Sequence, residues 1–272
     1  MGVTAADFEY VRRLVADESA LALADDKDYL VRSRLEPVAA REGLESVGEL
    51  IAAVRGGEPA LRRELVEALV THETQFFRDG HPFQVLGDVI LPELQAANGA
   101  RRLAVWSAAT STGQEAYSLA LLLRGRRVCS PAPRLLATDL SQAALRHARA
   151  GRFSELEVRR GLPIALRDRY FTPRAGGWQV SDEVRRMIDF AQLNLVHPFS
   201  DVVGGMDVVL LRNVLMYLAA PARRALVDEI ATVLRPGGYL LLGGAEAIGR
   251  DGAFEQIRIG RTTVYRRTEA SA

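Results

Sequence analysis

Four groups of polar residues in the chain have types and spacings that could do chemistry. The first runs Val105-Trp106-Ser107-Ala108-Ala109-Thr110-Ser111-Thr112-Gly113-Gln114-Glu115. It reads as a strand end, a loop of small residues and a helix start, with the Glu115 carboxylate in the first helical turn. Small residues there let a ligand approach the backbone. A dinucleotide site would carry three glycines so that a pyrophosphate could rest on the helix N-terminus. This loop has one glycine and offers a negative charge, which argues for a ligand with a cationic group. S-adenosylmethionine, with an ammonium and a sulfonium, fits; a purely structural strand-to-helix turn would have the same spacing. The second group is Asp139, at the end of the run Leu135 to Thr138. An acid there accepts hydrogen bonds from ribose hydroxyls, or else caps the helix that opens at Leu140-Ser141. The third is the run from Asp207 to Leu211 ending in Arg212 and Asn213, with Tyr217 one helical turn on. The bland alternative is a helix cap at Asn213 and a surface Arg212. The fourth is Thr71-His72-Glu73-Thr74-Gln75-Phe76-Phe77-Arg78-Asp79. His72, Thr74 and Arg78 lie where two differently patterned regions join, a common place for ligands. Phe76 and Phe77 read as packing residues.

These groups need a scaffold that brings strand ends together. From about residue 100, short apolar runs alternate with helix-length segments: Leu103 to Ser107, Leu135 to Thr138, Met187 to Phe190, Val208 to Leu211 and Tyr239 to Leu242. That alternation predicts a parallel sheet with helices on both faces, whose ligands sit at the carboxyl ends of the strands. Phe254 to Ile259 and Thr263 to Arg266, separated by Gly260-Arg261, predict a terminal antiparallel hairpin. Arg235-Pro236-Gly237-Gly238 reads as a structural turn into the fifth run. Thr172-Pro173 and Gly176-Gly177 are turn signals around a short strand at Trp178 to Val180, so residues from about 159 to 186 read as an inserted β-excursion. Upstream, Phe8, Val11, Leu14 and Val15, then Tyr29, Leu30, Leu35 and Val38, then Val47, Leu50, Ile51 and Val54, then Leu61, Leu65, Ala68 and Leu69 recur at helical spacing. The expected division is a helical domain and linker over 1–78 and an α/β domain over 79–272.

Composition narrows the function. The chain has 272 residues, 48% of them hydrophobic and 25% charged, with a net charge of +1. That is a globular composition, and the near-zero charge argues against a nucleic-acid-coating protein. One cysteine, Cys129, excludes an internal disulfide and any multi-cysteine metal site. Four histidines with no His-x-x-x-His pair give metal catalysis little support. The apolar runs fall far short of the roughly 18–20 residues that span a bilayer. The N-terminus carries Asp7 and Glu9 with no apolar export segment, so a cytoplasmic location is expected.

Taken together the motifs resemble the CheR family of chemoreceptor glutamate O-methyltransferases. The resemblance covers nearly the whole chain, from Lys27-Asp28-Tyr29-Leu30 to the last strand. It rests on Thr74-Gln75-Phe76-Phe77-Arg78, Trp106-Ser107-Ala108 through Glu115-Ala116-Tyr117-Ser118, and Ala137-Thr138-Asp139. It also rests on Asn194-Leu195, Arg212-Asn213-Val214-Leu215-Met216-Tyr217 and Leu234-Arg235-Pro236-Gly237-Gly238-Tyr239-Leu240. It implies an α/β class I methyltransferase domain: a Rossmann-like seven-stranded sheet with a terminal antiparallel hairpin, a small all-α domain before it and a small β-subdomain inserted. It implies S-adenosylmethionine as donor, S-adenosylhomocysteine as product, and glutamates on the cytoplasmic methylation helices of chemoreceptors as acceptors. By motif match His72, Thr74, Arg78, Glu115, Asp139, Asn194, Leu195, Arg212 and Asn213 would line the donor site, and Tyr217 would face the reacting centre; Arg78 and Tyr217 are the candidates for orienting the acceptor. No nucleic acid, membrane insertion or metal is expected, and the chain is expected to be a monomer.

The sequence departs from the family pattern in places. His72 stands where many members have Asn, Gln114 and Ala116 replace the commoner Glu and Pro, and Gly243-Gly244-Ala245-Glu246 replaces the usual Gly-His-Ser-Glu. The loop between Pro173 and Trp178 is short. Members with a longer loop grip a tethering peptide at the receptor C-terminus, so the short form points to the tether-independent type. Arg32, Arg34 and Arg41 are candidates for a basic face toward acidic receptor helices, a solvated helix surface being the alternative. Two other functions stay open: a class I methyltransferase with another acceptor, and a non-catalytic protein that binds donor or product.

Overall fold

The computed structural model describes residues 3–24, 26–99, 101–126, 132–200, 203–249 and 252–269; Cys129 lies outside them. Contacts divide the chain into two compact units.

The first unit holds the chain up to Thr71 together with Tyr217–Arg223. Four helices build it: α1 Ala5–Ser19, α2 Asp28–Arg41, α3 Val47–Arg55 and α4 Pro59–Leu69. Their starts follow capping chemistry. Thr4 and Asp7 form a reciprocal capping box on α1, Ser46 accepts the Glu49 N–H on α3, and Pro59 opens α4 where no N–H is needed. Val11, Val15, Val31, Leu35, Leu50, Ile51 and Leu65 are fully buried at helical spacing and make the core. A β-bridge between Leu21 and Leu218 attaches the later segment to this unit.

The second unit is the α/β one. Strands β1 Ala104–Ala108 and β2 Arg134–Asp139 flank α7, which we number after three upstream helical segments: α5 His81–Val85, a π-turn at Leu86–Ile90 and α6 Leu91–Asn98. Helix α7 spans Gln114–Gly125 and α8 spans Gln142–Ala150. A two-residue strand β3 (Arg152–Phe153) then leads through α9 (Glu155–Arg159) and α10 (Ile164–Tyr170) to β4 (Phe171–Arg174) and β5 (Gly177–Val180). After α11 (Asp182–Arg185) come β6 (Ile188–Gln192), β7 (Met206–Leu211), α12 (Ala220–Val233), β8 (Leu234–Leu242), β9 (Phe254–Ile259) and β10 (Thr262–Arg267).

Seven strands form one sheet in the order β6-β2-β1-β7-β8-β10-β9. The first five are parallel, and β10 runs antiparallel to both β8 and β9. Every residue of β1 and β7 is buried, as a parallel strand covered on both faces requires. Leu234 already pairs with Met206 before Tyr239 pairs with Val208, so the Arg235-to-Gly238 turn is carried as an irregularity inside β8 rather than preceding it.

The second, antiparallel sheet has the order β3-β5-β4. It starts at Arg152, ahead of the expected excursion, because a strand of two residues leaves no periodicity to read. Its β4–β5 turn is only Ala175-Gly176. Phe76 anchors this sheet, with edge-to-face contacts to Phe153 at 5.0 Å and Phe171 at 5.7 Å. Gly161 (φ +89°) lets the Phe76 backbone pass: a Cβ there would sit 2.0 Å from the Phe76 carbonyl oxygen. Thus Phe76 packs, as its sequence context suggests, and the segment from His72 counts with the α/β unit rather than with the helices.

Candidate active site

The carboxyl ends of β1, β2, β6 and β7 lie at one edge of the sheet because all four strands are parallel. The loop after β1 is held there by hydrogen bonds. Thr110 N–H donates to the Thr138 carbonyl at 2.8 Å, and Ser111 N–H donates to Asp139 Oδ2 at 2.7 Å. Ser111 Oγ donates to the His72 carbonyl at 3.0 Å. One serine therefore ties the His72 segment, the first loop and the end of β2 together. Asp139 is not the cap of α8; Ser141 is, accepting the Ala144 N–H. The Asp139 carboxylate instead accepts from Ser111 and, at 2.9 Å, from Ser141 N–H. A carboxylate has about four acceptor positions, so it retains capacity toward a ligand's hydroxyls. Leu193 N–H donates to the Asp139 carbonyl at 3.0 Å, which brings half-buried Asn194 and Leu195 beside the same strand end.

Arg212 is the centre of a charged cluster. Its side chain is 1% exposed, so the surface-arginine alternative does not hold. Nη1 donates to Glu115 Oε2 at 3.1 Å; Nη2 donates to Asp79 Oδ2 at 2.6 Å and to the Arg78 carbonyl at 2.9 Å. The guanidinium also lies over the Phe83 ring, 5.5 Å from its centroid. Ser107 Oγ donates to Glu115 Oε1 at 2.8 Å. Glu115 is 12% exposed, and burial pushes its carboxyl above the ordinary range, against the opposing pull of Arg212, the Ser107 hydroxyl and Arg78. A buried carboxylate in that state gains from a further positive charge. Two buried polar atoms at this edge, Thr110 Oγ1 and Arg212 Nε, have no hydrogen-bond partner. The donor set therefore fits a ligand carrying a cationic centre and vicinal hydroxyls.

Arg78 is half-buried and donates to the Glu73 carbonyl at 2.9 Å; Thr74 is half-buried on the same segment. Asn213 has a left-handed backbone (φ 59°), and its N–H donates to Glu246 Oε2 at 2.7 Å. Tyr217, 38% exposed, ends a single 3₁₀ turn and accepts the Ala22 N–H on its carbonyl within the helical unit. Of the expected site residues, Arg78, Glu115 and Arg212 meet directly, and His72 and Asp139 meet through Ser111. Asp79 and Glu246 were not singled out as ligands or partners by sequence. Asp79 had one available signal, its place at the end of the quoted motif beside Arg78.

The three arginines considered for a receptor-facing patch are differently placed. Arg34 donates to the Leu69 carbonyl at 2.7 Å and to Thr71 Oγ1 at 3.1 Å, and Arg41 pairs with Glu64. Both are engaged within the helical unit; Arg34 is half-buried, whereas Arg32 and Arg41 are exposed. Among the described residues, no three or more His, Cys, Asp or Glu side chains are grouped to hold a metal, and no helix is long and apolar enough to cross a membrane.

The chain matches two family models: "CheR methyltransferase, all-alpha domain" over residues 6–70, and "CheR methyltransferase, SAM binding domain" over residues 72–263. It is 37% identical to chemotaxis protein methyltransferase 1 of Pseudomonas aeruginosa, over 98% of this chain and 99% of that one. It is 37% identical to chemotaxis protein methyltransferase 1 of Vibrio cholerae, over 97% and 98%. A probable chemotaxis protein methyltransferase of Rhizobium etli is 36% identical, over 94% and 97%.

Proposed function

The chain belongs to the CheR methyltransferase family and is an S-adenosylmethionine-dependent methyltransferase; from that premise we propose that it esterifies glutamate side chains on the cytoplasmic methylation helices of chemoreceptors. The observation that carries the reading is the Glu115–Arg212–Asp79 cluster, centred on the buried Arg212 guanidinium, beside Asp139 at the strand ends. When bound, the donor would supply a sulfonium methyl whose carbon an acceptor carboxylate attacks in line, with S-adenosylhomocysteine as the leaving group. Glu115 holds the donor's cationic amino-acid end, and Asp139 accepts from its ribose. His72, Thr74, Arg78, Asn194, Leu195, Arg212 and Asn213 complete the pocket.

A glutamate with an unperturbed pKa of about 4.3 is already ionised at neutral pH. No general base is required. The enzyme's work is positioning and exclusion of water, and we assign orientation of the acceptor to Arg78 and Tyr217. The two-residue Ala175-Gly176 turn supports action without a receptor tether peptide. The reading places the protein in the cytoplasm as a monomer that uses no metal.

The test is transfer of labelled methyl from S-adenosylmethionine to receptor-containing membranes, scored as alkali-labile ester. Ester label on receptors with and without their C-terminal tails is expected. Donor binding with no label would refute the reading and favour a non-catalytic donor-binding protein.

A further inference from the structure

Glu246 ends a segment, Gly243-Gly244-Ala245-Glu246, that keeps the first and last residues of the family pattern and departs from it at the two middle ones. Its carboxylate accepts three backbone N–H groups from two different loops. Oε2 takes Asn213 at 2.7 Å and Gly243 at 2.8 Å, and Oε1 takes Met216 at 3.2 Å. Asn213 and Met216 belong to the stretch after β7, whose next residue is Tyr217; Gly243 directly follows β8. Charge-assisted bonds of this kind are roughly twice as strong as neutral ones. They hold Asn213 in a left-handed conformation that a non-glycine residue rarely adopts unaided.

Gly243 is part of the same arrangement. A Cβ there would lie 2.7 Å from Glu246 Oε2, 2.8 Å from Asn213 Nδ2 and 3.0 Å from Asn213 N. The two middle positions contribute nothing comparable: a Cβ on Gly244 would point into open space, with no atom within 4 Å, and Ala245 is exposed. The geometry thus uses the glycine and the acid that this chain keeps and leaves free the two positions where it differs.

We infer that Glu246, seated against Gly243, is a positioning residue that fixes the Asn213-to-Met216 stretch for methyl transfer. It acts apart from the donor anchor, because Arg212 takes its own contacts from Asp79, Glu115 and the Arg78 carbonyl. The kinetic consequence rests on the proposed methyl-transfer reading; the structural consequence does not.

The experiment uses the full chain as wild type, Glu246→Ala, Glu246→Gln, Gly243→Ala and Gly244→Ala. Amide hydrogen exchange is expected to show Asn213, Met216 and Gly243 protected in the wild type and released in Glu246→Ala, while β1 and β2 amides stay protected. The kcat for methyl transfer should fall about 10- to 100-fold in Glu246→Ala, the scale of a misplaced reacting group, with donor affinity falling much less than kcat, because Asn213 is loosened while the Glu115–Arg212–Asp79 contacts do not involve Glu246. Gly243→Ala should reproduce that loss, Glu246→Gln should be intermediate because one carbonyl acceptor remains, and Gly244→Ala should match the wild type. Unprotected Asn213 and Gly243 amides in the wild type would overturn the inference even if the wild type transferred no methyl. So would wild-type turnover in Glu246→Ala, or a joint collapse of donor affinity and β1 protection. A wild type without methyl transfer but with protected amides would refute the proposed function and support the clamp.

Discussion

Replacing Glu115 by Gln separates a donor anchor from a structural ion pair. The side chain keeps its shape and one carbonyl acceptor for Ser107 or Arg212, and loses its charge. Arg212 is not orphaned, since it retains Asp79 at 2.6 Å and the Arg78 carbonyl at 2.9 Å. In the donor-free fold two effects oppose each other. The variant loses a charge-assisted bond of about 1.5–3 kcal/mol and is relieved of keeping an ionised carboxylate in a buried place. Because the Glu115 carboxyl is raised above its ordinary 4.5, the stability linked to its protonated form is complete below the unfolded value and is lost as pH rises through the folded one. At neutral pH the wild type therefore carries a penalty that the glutamine lacks. The net change should stay within about 1.5 kcal/mol, or roughly 3–6 °C in Tm for a chain of this size.

The donor-bound state has no such offset. Losing the charged contact to the donor's cationic end costs about 1.5–3 kcal/mol, or roughly 10- to 150-fold in Kd. Calorimetric titration with S-adenosylmethionine, beside thermal unfolding of both proteins, reads the two quantities. The wild type should also bind the donor less well as pH falls through the raised Glu115 value, and Glu115→Gln should lose that slope. Unchanged Kd together with a stability loss above about 3 kcal/mol, the range for breaking a buried pair, would refute the donor role and make Glu115 a structural partner of Arg212.

Three further substitutions address separate parts of the molecule. Asp207, buried at the opposite end of the sheet, accepts from both Arg101 Nη atoms and from Ala104 N–H; Asp207→Ala should lower stability by about 3 kcal/mol in urea unfolding, with donor affinity unchanged at temperatures where it is folded. Gly161→Ala must push a Cβ against the Phe76 carbonyl in a left-handed backbone, so a loss of about 3 kcal/mol or more is expected, and a wild-type Tm would contradict the close approach. Tyr217→Phe should slow methyl transfer about tenfold or more while leaving the donor Kd alone; an unchanged rate would remove its acceptor role.

Much of the α/β framework was legible because each parallel strand is a short apolar run with turn residues at its end. The places of Asp139 at the end of β2 and of Glu115 in the first turn of α7 were legible for the same reason: each is a local property. Partnerships made across the fold were not. Nothing in the spacing of Asp79 and Arg212, or of Glu246 and Asn213, announces that they meet; the second pair meets because β7 lies beside β8, and the first because the segment before α5 reaches the end of β7. Strand β3 was missed because two residues carry no alternation. Arg34 read as surface charge because its acceptor, a carbonyl at the end of α4, has no side-chain signature.

The backbone shows where this fold spends its stability. Among the described residues, six non-glycines have a left-handed φ, and five of them are Phe77, Asp79, Ala109, Ser111 and Asn213. All five lie on the three segments that supply the site. Such a residue costs about 1–3 kcal/mol and persists only where its surroundings determine it. For four of the five the determinant is visible: Phe77 N–H donates to Ser118 Oγ, Asp79 accepts from Arg212, Ser111 bonds to Asp139 and His72, and Asn213 bonds to Glu246. A reaction between an ionised carboxylate and a sulfonium needs no proton moved, so a site for it has little use for a tuned acid–base pair. It needs groups that do not relax when charge is neutralised between them. Strained turns locked by buried hydrogen bonds provide that rigidity, and the same locks explain why the charged residues at this edge are tied to backbone or to one another.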